Sequence, residues 1–142
     1  MPTEPILAAL QTAALSGVDV RLMLPAQADN RITHLGSFSY LKDVMSAGVK
    51  VYFYRRGFLH SKLMVADDYL ATVGSTNVDF RSFEHNFEVN AFVYNQELTK
   101  TLAESFEKDL EQSIELTDAM IAQQSLWLKI KQSVARLLSP IL

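Results

Sequence analysis

Hydrophobic residues near the start of the chain follow a helical spacing and then the pattern of a buried strand. The first helix is predicted to begin at Thr3, a suitable N-cap, and to end at Gly17. Its apolar positions are Ile6, Leu7, Leu10, Ala14 and Leu15. The segment 18–24 alternates at first, is then continuously apolar and stops at Pro25, which predicts a strand.

The same order of elements follows a second time. Residues 26–36 are polar and are predicted to form a loop. A second helix is predicted over about Phe38–Ala47, with Gly48 as its stop, and a second strand over Val49–Tyr54. This alternation of helix and strand favours parallel strands joined by helical crossovers, so the predicted fold class is α/β.

The middle of the chain has a different pattern, which predicts antiparallel strands. Two apolar runs, 62–66 and 69–73, flank Asp67-Asp68 and predict a hairpin. A short helical turn is predicted near Asp79–Ser82 and a further strand over Asn86–Tyr94.

The last third of the chain is predicted to be helical. Residues 96–115 form an amphipathic pattern whose acidic face is interpreted as a solvated surface. Residues 117–139 form a final helical segment with an apolar stripe at Leu126, Trp127, Ile130, Val134, Leu137 and Leu138. The stripe suits packing on the sheet or, with three basic residues nearby, a membrane interface. We therefore divide the chain into a domain at 1–116 and a helical extension at 117–142.

Composition narrows the classes of protein that remain. With 142 residues, 49% of them hydrophobic, the chain is long enough for one domain with a buried core. The absence of cysteine excludes disulfides, thiolate metal sites and a cysteine nucleophile. A formal charge of −3 argues against a dominant nucleic-acid surface. No apolar run is long enough for a transmembrane helix and no signal-peptide pattern opens the chain, so it is expected to be soluble.

His60 and Lys62 are the centre of the candidate chemistry. In a strand, a spacing of two residues places both side chains on one face. A histidine and a lysine side by side need an anion between them, and Ser75 and Asn77 after Gly74 suit a phosphate group. Because no acidic cluster accompanies them, we predict a site without metal or cofactor, in which Lys62 supplies the positive charge.

A neutral imidazole is a competent nucleophile toward phosphorus when an acceptor holds its second nitrogen. Glu88 is the best candidate for that acceptor, because Phe87 and Val89 beside it would face the other layer of the fold. We therefore expect Glu88 within hydrogen-bond reach of His60, on an open surface. The weaker candidates are Glu84 and Asp79.

Taken singly, these residues suit structural roles: a surface His–Lys pair, a turn aspartate at Asp67 and a helix N-cap at Asn77. Together they form His60-x-Lys62, four residues, Asp67, six residues and Gly74-Ser75-x-Asn77. This pattern resembles the HKD signature of the phospholipase D superfamily. The surrounding segments resemble bacterial cardiolipin synthases in particular, at 57–62, 72–83, 86–90, 17–21 and 137–140.

The resemblance implies a fold, an activity and roles for the site residues. The fold would be a phospholipase D-like mixed β-sheet flanked by helices, with a C-terminal helical segment. His60 would be the nucleophile or its acid/base counterpart, passing through a phosphohistidine. Lys62 and Asn77 would bind phosphate oxygens and Ser75 would help to hold the phosphate. Glu88 would stand behind the histidine, while Asp67, although part of the catalytic signature, would be mainly structural.

The implied reaction is transphosphatidylation, in which two molecules of phosphatidylglycerol give cardiolipin and glycerol. Such enzymes carry two motifs and a membrane anchor, whereas this chain has one motif, and its other histidines are His34 and His85. The expected partners are therefore a phospholipid, a bacterial cytoplasmic membrane surface, and either an N-terminal half with the second motif or a homodimer mate. The alternatives are a single-motif nuclease acting as a homodimer, although nucleic acid is the less expected partner, or a non-catalytic phospholipid-binding fragment.

Overall fold

Two three-stranded sheets and six helices make up the described part of the chain, which is residues 2–27 and 31–137 of a computed structural model. The helices are α1 (Glu4–Leu15), α2 (Arg31–Ser46), α3 (Phe80–Glu84), α4 (Gln96–Leu110), α5 (Asp118–Ala122) and α6 (Leu126–Leu137). The strands are β1 (Arg21–Pro25), β2 (Lys50–Tyr54), β3 (Leu63–Ala66), β4 (Leu70–Gly74), β5 (Asn90–Tyr94) and β6 (Ser113–Glu115).

The first sheet has the order β1-β2-β6 and confirms the predicted parallel pair, since β1 and β2 run parallel and β6 is antiparallel to β2. Arg21 lies opposite Lys50 at the start of this pair. Both side chains form ion pairs with Asp19, at 2.5 and 2.8 Å. The hydrogen bonds from Arg21 and then Lys50 lower the pKa of Asp19 to about 2. One carboxylate therefore links the beginnings of the two strands.

The second sheet, β3-β4-β5, is antiparallel throughout and confirms the predicted hairpin. Its turn is Asp67-Asp68, and Asp67 has a φ of 52°, in the left-handed region that aspartate tolerates better than most residues. Ala71 on β4 is fully buried, and helix α4 packs against β3 and β4. Successive residues of a strand point to opposite faces of the sheet. Thr72, which follows Ala71, pairs with Met64 and Phe92, and these two side chains are more than half exposed on the opposite face. This sheet thus has one covered and one open side.

The main core lies between α2 and the first sheet. Its buried members are Leu41, Val44, Val49, Val51 and Leu116. Partly buried residues of α1 and α5 complete it, including Leu7, Leu10 and Ile121. The core thus fixes the first sheet, whose strand β2 leads into the segment that carries His60.

Some predicted boundaries are wrong. Helix α2 begins at Arg31, within the stretch predicted as a loop, of which residues 28–30 lie outside the described residues. The strand predicted from Asn86 begins only at Asn90. Thr3 occupies the N-cap position of α1, but its side chain makes no capping hydrogen bond. The long helix predicted over 96–115 ends at Leu110 and is followed by the short strand β6.

The predicted C-terminal helical segment divides into α5 and α6, and its predicted end beyond residue 137 lies outside the described residues. Helix α6 packs on α2 with Gln132 buried. The members of its apolar stripe that are described as exposed are Leu126, Trp127, Ile130 and Val134. The interpretation that this stripe packs on the sheet is therefore wrong for these four residues. Within the ranges 2–27 and 31–137, every helix is too short or too polar to cross a bilayer.

Candidate active site

His60 and Lys62 lie on an irregular segment just before β3, which begins at Leu63 rather than at Lys62 as predicted. The ammonium of Lys62 donates a hydrogen bond to the carbonyl of His60 at 2.7 Å. The carbonyl of Lys62 accepts one from the backbone N–H of Gly74 at 3.1 Å. The segment is therefore attached to the end of β4, where the Gly74–Asn77 turn starts. His60 itself is exposed, as expected for an open site.

Close backbone packing holds the Gly74–Asn77 turn against the segment before β5. Ser75 donates its backbone N–H to the carbonyl of Val89 at 3.0 Å, and Val89 donates its own N–H to the Ser75 hydroxyl at 3.0 Å. A Cβ atom at Gly74 would overlap the Asn90 side chain and the Val89 carbonyl. Only glycine fits here, which is the physical reason for the first residue of the Gly-Ser-x-Asn pattern.

Glu88 is anchored by neutral donors. Its carboxylate accepts hydrogen bonds from the Ser75 hydroxyl at 2.5 Å and from the Asn86 amide at 3.2 Å. These bonds, Ser75 first, lower the pKa of Glu88, and the positive charge of Lys62 contributes in the same direction. The Ser82 hydroxyl also lowers this pKa, although it is buried and forms no hydrogen bond within the usual limits. Both the hydroxyl and amide donors and the charge of Lys62 therefore favour the ionised form of Glu88.

The expected hydrogen bond between Glu88 and His60 is not formed. Ser75 and Asn86 occupy the carboxylate, and the imidazole stacks instead on Phe58, with ring centroids 5.4 Å apart and planes 18° apart. The neighbours of Glu88 do not pack inward either, since Phe87 is fully exposed and Val89 is 75% exposed. The prediction failed because residues 86–89 are not a regular strand, so the alternation of faces does not apply to them.

The three remaining predicted residues, Asn77, Asp67 and Asp79, lie in different parts of the fold. Asn77 is exposed in the turn after Ser75. Asp67 follows β3 whereas Lys62 precedes it, so a strand of four residues, about 13 Å long, separates them. Asp79 caps helix α3 by accepting the N–H of Ser82 at 2.8 Å, which explains its place in the sequence without a catalytic role.

Sequence reasoning missed the residues that support the cluster. Phe58 has an aromatic ring two positions before His60, and Asn86 has an amide two positions before Glu88. Asn90 accepts the N–H of Thr76 at 3.4 Å. Short spacing to a candidate residue was the available signal, but it does not distinguish a ring or amide that turns toward the site from one that faces solvent. In the described part of the chain, no three His, Asp or Glu side chains group as metal ligands.

Solved structures share the fold of this chain. The phospholipase D family member Nuc from Salmonella typhimurium superposes with a TM-score of 0.74 at 19% identity, over 83% of this chain and 77% of Nuc. NucT from Helicobacter pylori gives a TM-score of 0.63 at 20% identity, over 82% of this chain and 77% of NucT. The predicted phospholipase D-like α/β fold is therefore confirmed.

Relatives by sequence define the family within that class. The family model described as "Cardiolipin synthase, PLD-like domain" matches residues 1–110, and the chain belongs to this family. It is similar to the cardiolipin synthase of Listeria monocytogenes, 44% identical over 142 residues, and to cardiolipin synthase 1 of Staphylococcus epidermidis, 45% identical over 142 residues. All of the chain is covered in both cases, but it spans only 30% and 29% of the length of these relatives.

Proposed function

We propose that this chain supplies one of two HKD motifs to a phosphatidyltransferase that makes cardiolipin from two molecules of phosphatidylglycerol. One observation carries the proposal. In a member of the cardiolipin synthase family, the exposed His60 shares a short segment with Lys62, whose ammonium donates to the His60 carbonyl, and this segment is hydrogen-bonded to the start of the turn that carries Ser75 and Asn77. A tetrahedral phosphodiester suits this arrangement because it presents anionic oxygens to Lys62 and Asn77 while leaving phosphorus open to nitrogen, and Ser75, whose O–H is given to Glu88, holds the turn that carries Asn77.

The first step is attack on the donor lipid. A ring nitrogen of His60, or of its counterpart in the second motif, forms a bond to phosphorus. The bond from phosphorus to the headgroup glycerol breaks, and the opposing histidine protonates the leaving oxygen. Glycerol leaves, and the phosphatidyl group remains on the histidine as a phosphohistidine.

The second step transfers that group to a lipid acceptor. A headgroup hydroxyl of a second phosphatidylglycerol attacks phosphorus while the opposing histidine takes its proton. The phosphorus–nitrogen bond breaks, the nucleophile is restored and cardiolipin is formed. Lys62 faces the phosphate oxygens in both steps, where its charge offsets the negative charge that builds up in each transition state.

The mechanism requires a second histidine facing His60. General acid–base catalysis contributes roughly 10²–10⁴-fold in rate, so one motif alone should be nearly inactive. The open side of the second sheet supports a docked partner, since Met64, Phe92 and Tyr94 are each more than half exposed there. We propose that this partner is a second motif-bearing half or a second copy of the chain.

We also propose that the enzyme works at the cytoplasmic membrane, with α6 in contact with the lipid surface. Leu126, Ile130 and Val134 recur every four residues, which places them on one face, and Trp127 lies beside them. All four side chains are more than half exposed, and tryptophan favours the membrane interface. The division of the chain at 116/117 remains a proposal, with the extension serving this contact.

The function is tested with the native gene product, purified in detergent and mixed with phosphatidylglycerol vesicles. We expect cardiolipin and free glycerol in equal amounts, and an acid-labile phosphate on a histidine after brief reaction. The His60→Ala variant should lose at least about 10²-fold in rate. His85→Gln is the matched control, because His85 contacts Phe80 edge-on and lies outside the motif. Normal cardiolipin formation by His60→Ala, or cleavage of single-stranded DNA in place of lipid turnover, would contradict the proposal.

A further inference from the structure

An open groove lies at the end of β2, and neither Glu88 nor its hydrogen-bond partners line it. Its volume is about 380 Å³, and it is lined by Arg55, Arg56, Glu111, Gln112, Ser113 and Ile114. The groove has a fixed floor, because Tyr54 pairs with Ser113 and the N–H of Arg55 donates to the carbonyl of Gln112 at 3.1 Å. Two consecutive arginines are therefore held at its edge by the first sheet.

The two guanidinium groups have no carboxylate partner among the described residues. The ion pairs found there join Asp19 to Arg21 and Lys50, and Glu107 to Arg21. Glu111 lines the same groove but forms no ion pair with either arginine. Two cations against one anion leave the lining net positive. Arginine binds phosphate through two parallel hydrogen bonds, so the groove suits a phosphate group better than a neutral ligand.

The groove is close to His60 along the chain. Arg56 precedes His60 by four residues, so their Cα atoms are at most about 14 Å apart even if the chain between them is fully extended. The connection turns at Gly57, whose φ of 144° lies in a region that disfavours other residues. Both arginine side chains are exposed and line the groove, so a ligand there has access to them.

We propose that Arg55 and Arg56 bind the phosphodiester of the acceptor phosphatidylglycerol. This inference rests on the proposed function. In the transfer step the acceptor carries its own phosphate, and in the product a single glycerol bridge separates the two phosphorus atoms. While Lys62 and Asn77 hold the phosphate under attack, a second anion must therefore be held a short distance away. The arginine groove supplies positive charge within four residues of His60 and would favour a lipid acceptor over water or a simple alcohol.

A partition experiment isolates the acceptor step. The native gene product is given phosphatidylglycerol vesicles and ethanol together, so that one phosphohistidine gives either cardiolipin or phosphatidylethanol. Ethanol carries no phosphate and gains nothing from the arginines. In the Arg55→Gln/Arg56→Gln variant, we expect the ratio of cardiolipin to phosphatidylethanol to fall about 10-fold or more, as for loss of hydrogen bonds to a charged group. Glycerol release should continue.

Two further variants complete the design. Lys42→Gln/Lys100→Gln removes an equal number of positive charges, but from exposed positions on α2 and α4, and should leave the product ratio unchanged. Arg55→Lys/Arg56→Lys keeps the charge but not the paired hydrogen bonds, and should give an intermediate ratio. A graded result of this kind also shows that the variants are folded.

Several results would overturn the inference. An unchanged ratio in the glutamine variant, with glycerol still released, would mean that the groove does not hold the acceptor. An equal fall in both products would place the arginines in donor binding or in assembly with the second half. An enzyme that releases no glycerol at all, even as wild type, contradicts the proposed function instead, so the two failures are distinguishable.

Discussion

The hydroxyl of Ser75 donates a hydrogen bond to the Glu88 carboxylate at 2.5 Å and accepts one from the Val89 N–H at 3.0 Å. One small side chain thus connects the turn after β4 with the irregular segment before β5. The carboxylate that the sequence suggested for the histidine is instead held by the serine of the signature. Ser75 therefore has a structural role of its own, which is to link the turn to the segment before β5.

Replacement of Ser75 by alanine should raise the pKa of Glu88 toward its ordinary value, because the Ser75 hydrogen bond is the largest cause of the lowering. A carboxyl whose pKa is lowered by folding stabilises the fold above the ordinary glutamate pKa, and this stabilisation is lost as the pH falls through the folded-state value. Wild type and Ser75→Ala should therefore differ in free energy of unfolding at neutral pH by more than they do at pH values below that range.

The measurement is an NMR titration of the Glu88 side-chain carbon, combined with denaturant unfolding at several pH values. Ser16→Ala is the control, because the Ser16 hydroxyl donates to the Thr12 carbonyl on α1, outside the site. It should leave the Glu88 titration unchanged. A Glu88 pKa that does not move in Ser75→Ala would contradict the assignment of its cause.

Ser75 and Glu88 should also be coupled in catalysis. Each single variant, Ser75→Ala or Glu88→Gln, is expected to lose about 10-fold or more in kcat/KM, because each disrupts a hydrogen bond to a charged group. The double variant should lose much less than the product of the two single losses, since contacting residues that form one unit are not additive. Cardiolipin formation by the native gene product is the assay. Fully additive losses would show that the two side chains act independently.

Phe58 is expected to position the His60 imidazole. Its ring stacks on the imidazole at 5.4 Å, and stacked aromatic pairs contribute about 0.5–1.5 kcal/mol, or roughly 2- to 10-fold in kcat/KM if the contact holds the reactive orientation. Phe58→Leu should show that loss and should remove the ring-current shift of the His60 ring protons. Phe58→Trp should retain both the activity and a shift. If Phe58→Leu loses the ring-current shift at full activity, the stack has no positioning role.

The sequence was informative where chemistry depends on short, fixed spacing. His60, Lys62 and the Gly74–Asn77 turn were recognisable because the pattern between them is long and specific, and the hairpin at Asp67-Asp68 has a strong turn signal. The sequence was uninformative where tertiary contacts decide. Residues 31–36 include a glycine and a threonine and look like a loop, yet they belong to a helix that packs on the core.

The wrong prediction that Glu88 forms a hydrogen bond with His60 has a similar physical origin. The residues around it have strand propensity, which predicts side chains that alternate between two faces. In the structure, the Ser75 hydroxyl takes the Val89 N–H, and a side chain therefore replaces a backbone partner before the regular strand starts at Asn90. A competition of this kind between side chain and backbone depends on residues distant in the chain, which a local pattern does not contain.

Trp127 provides a test of membrane contact through α6. It is the chain's single tryptophan and is 72% exposed, so its fluorescence should be that of a solvated indole without lipid. With phosphatidylglycerol vesicles we expect a shift to shorter wavelength. Ile130→Asp should weaken this binding about 10-fold or more, since burying a large apolar side chain contributes about 1.5–3 kcal/mol. Leu15→Asp, at an exposed position of α1, is the control and should bind as wild type does. If the emission maximum does not shift when vesicles are added, this face of α6 contacts protein and not lipid.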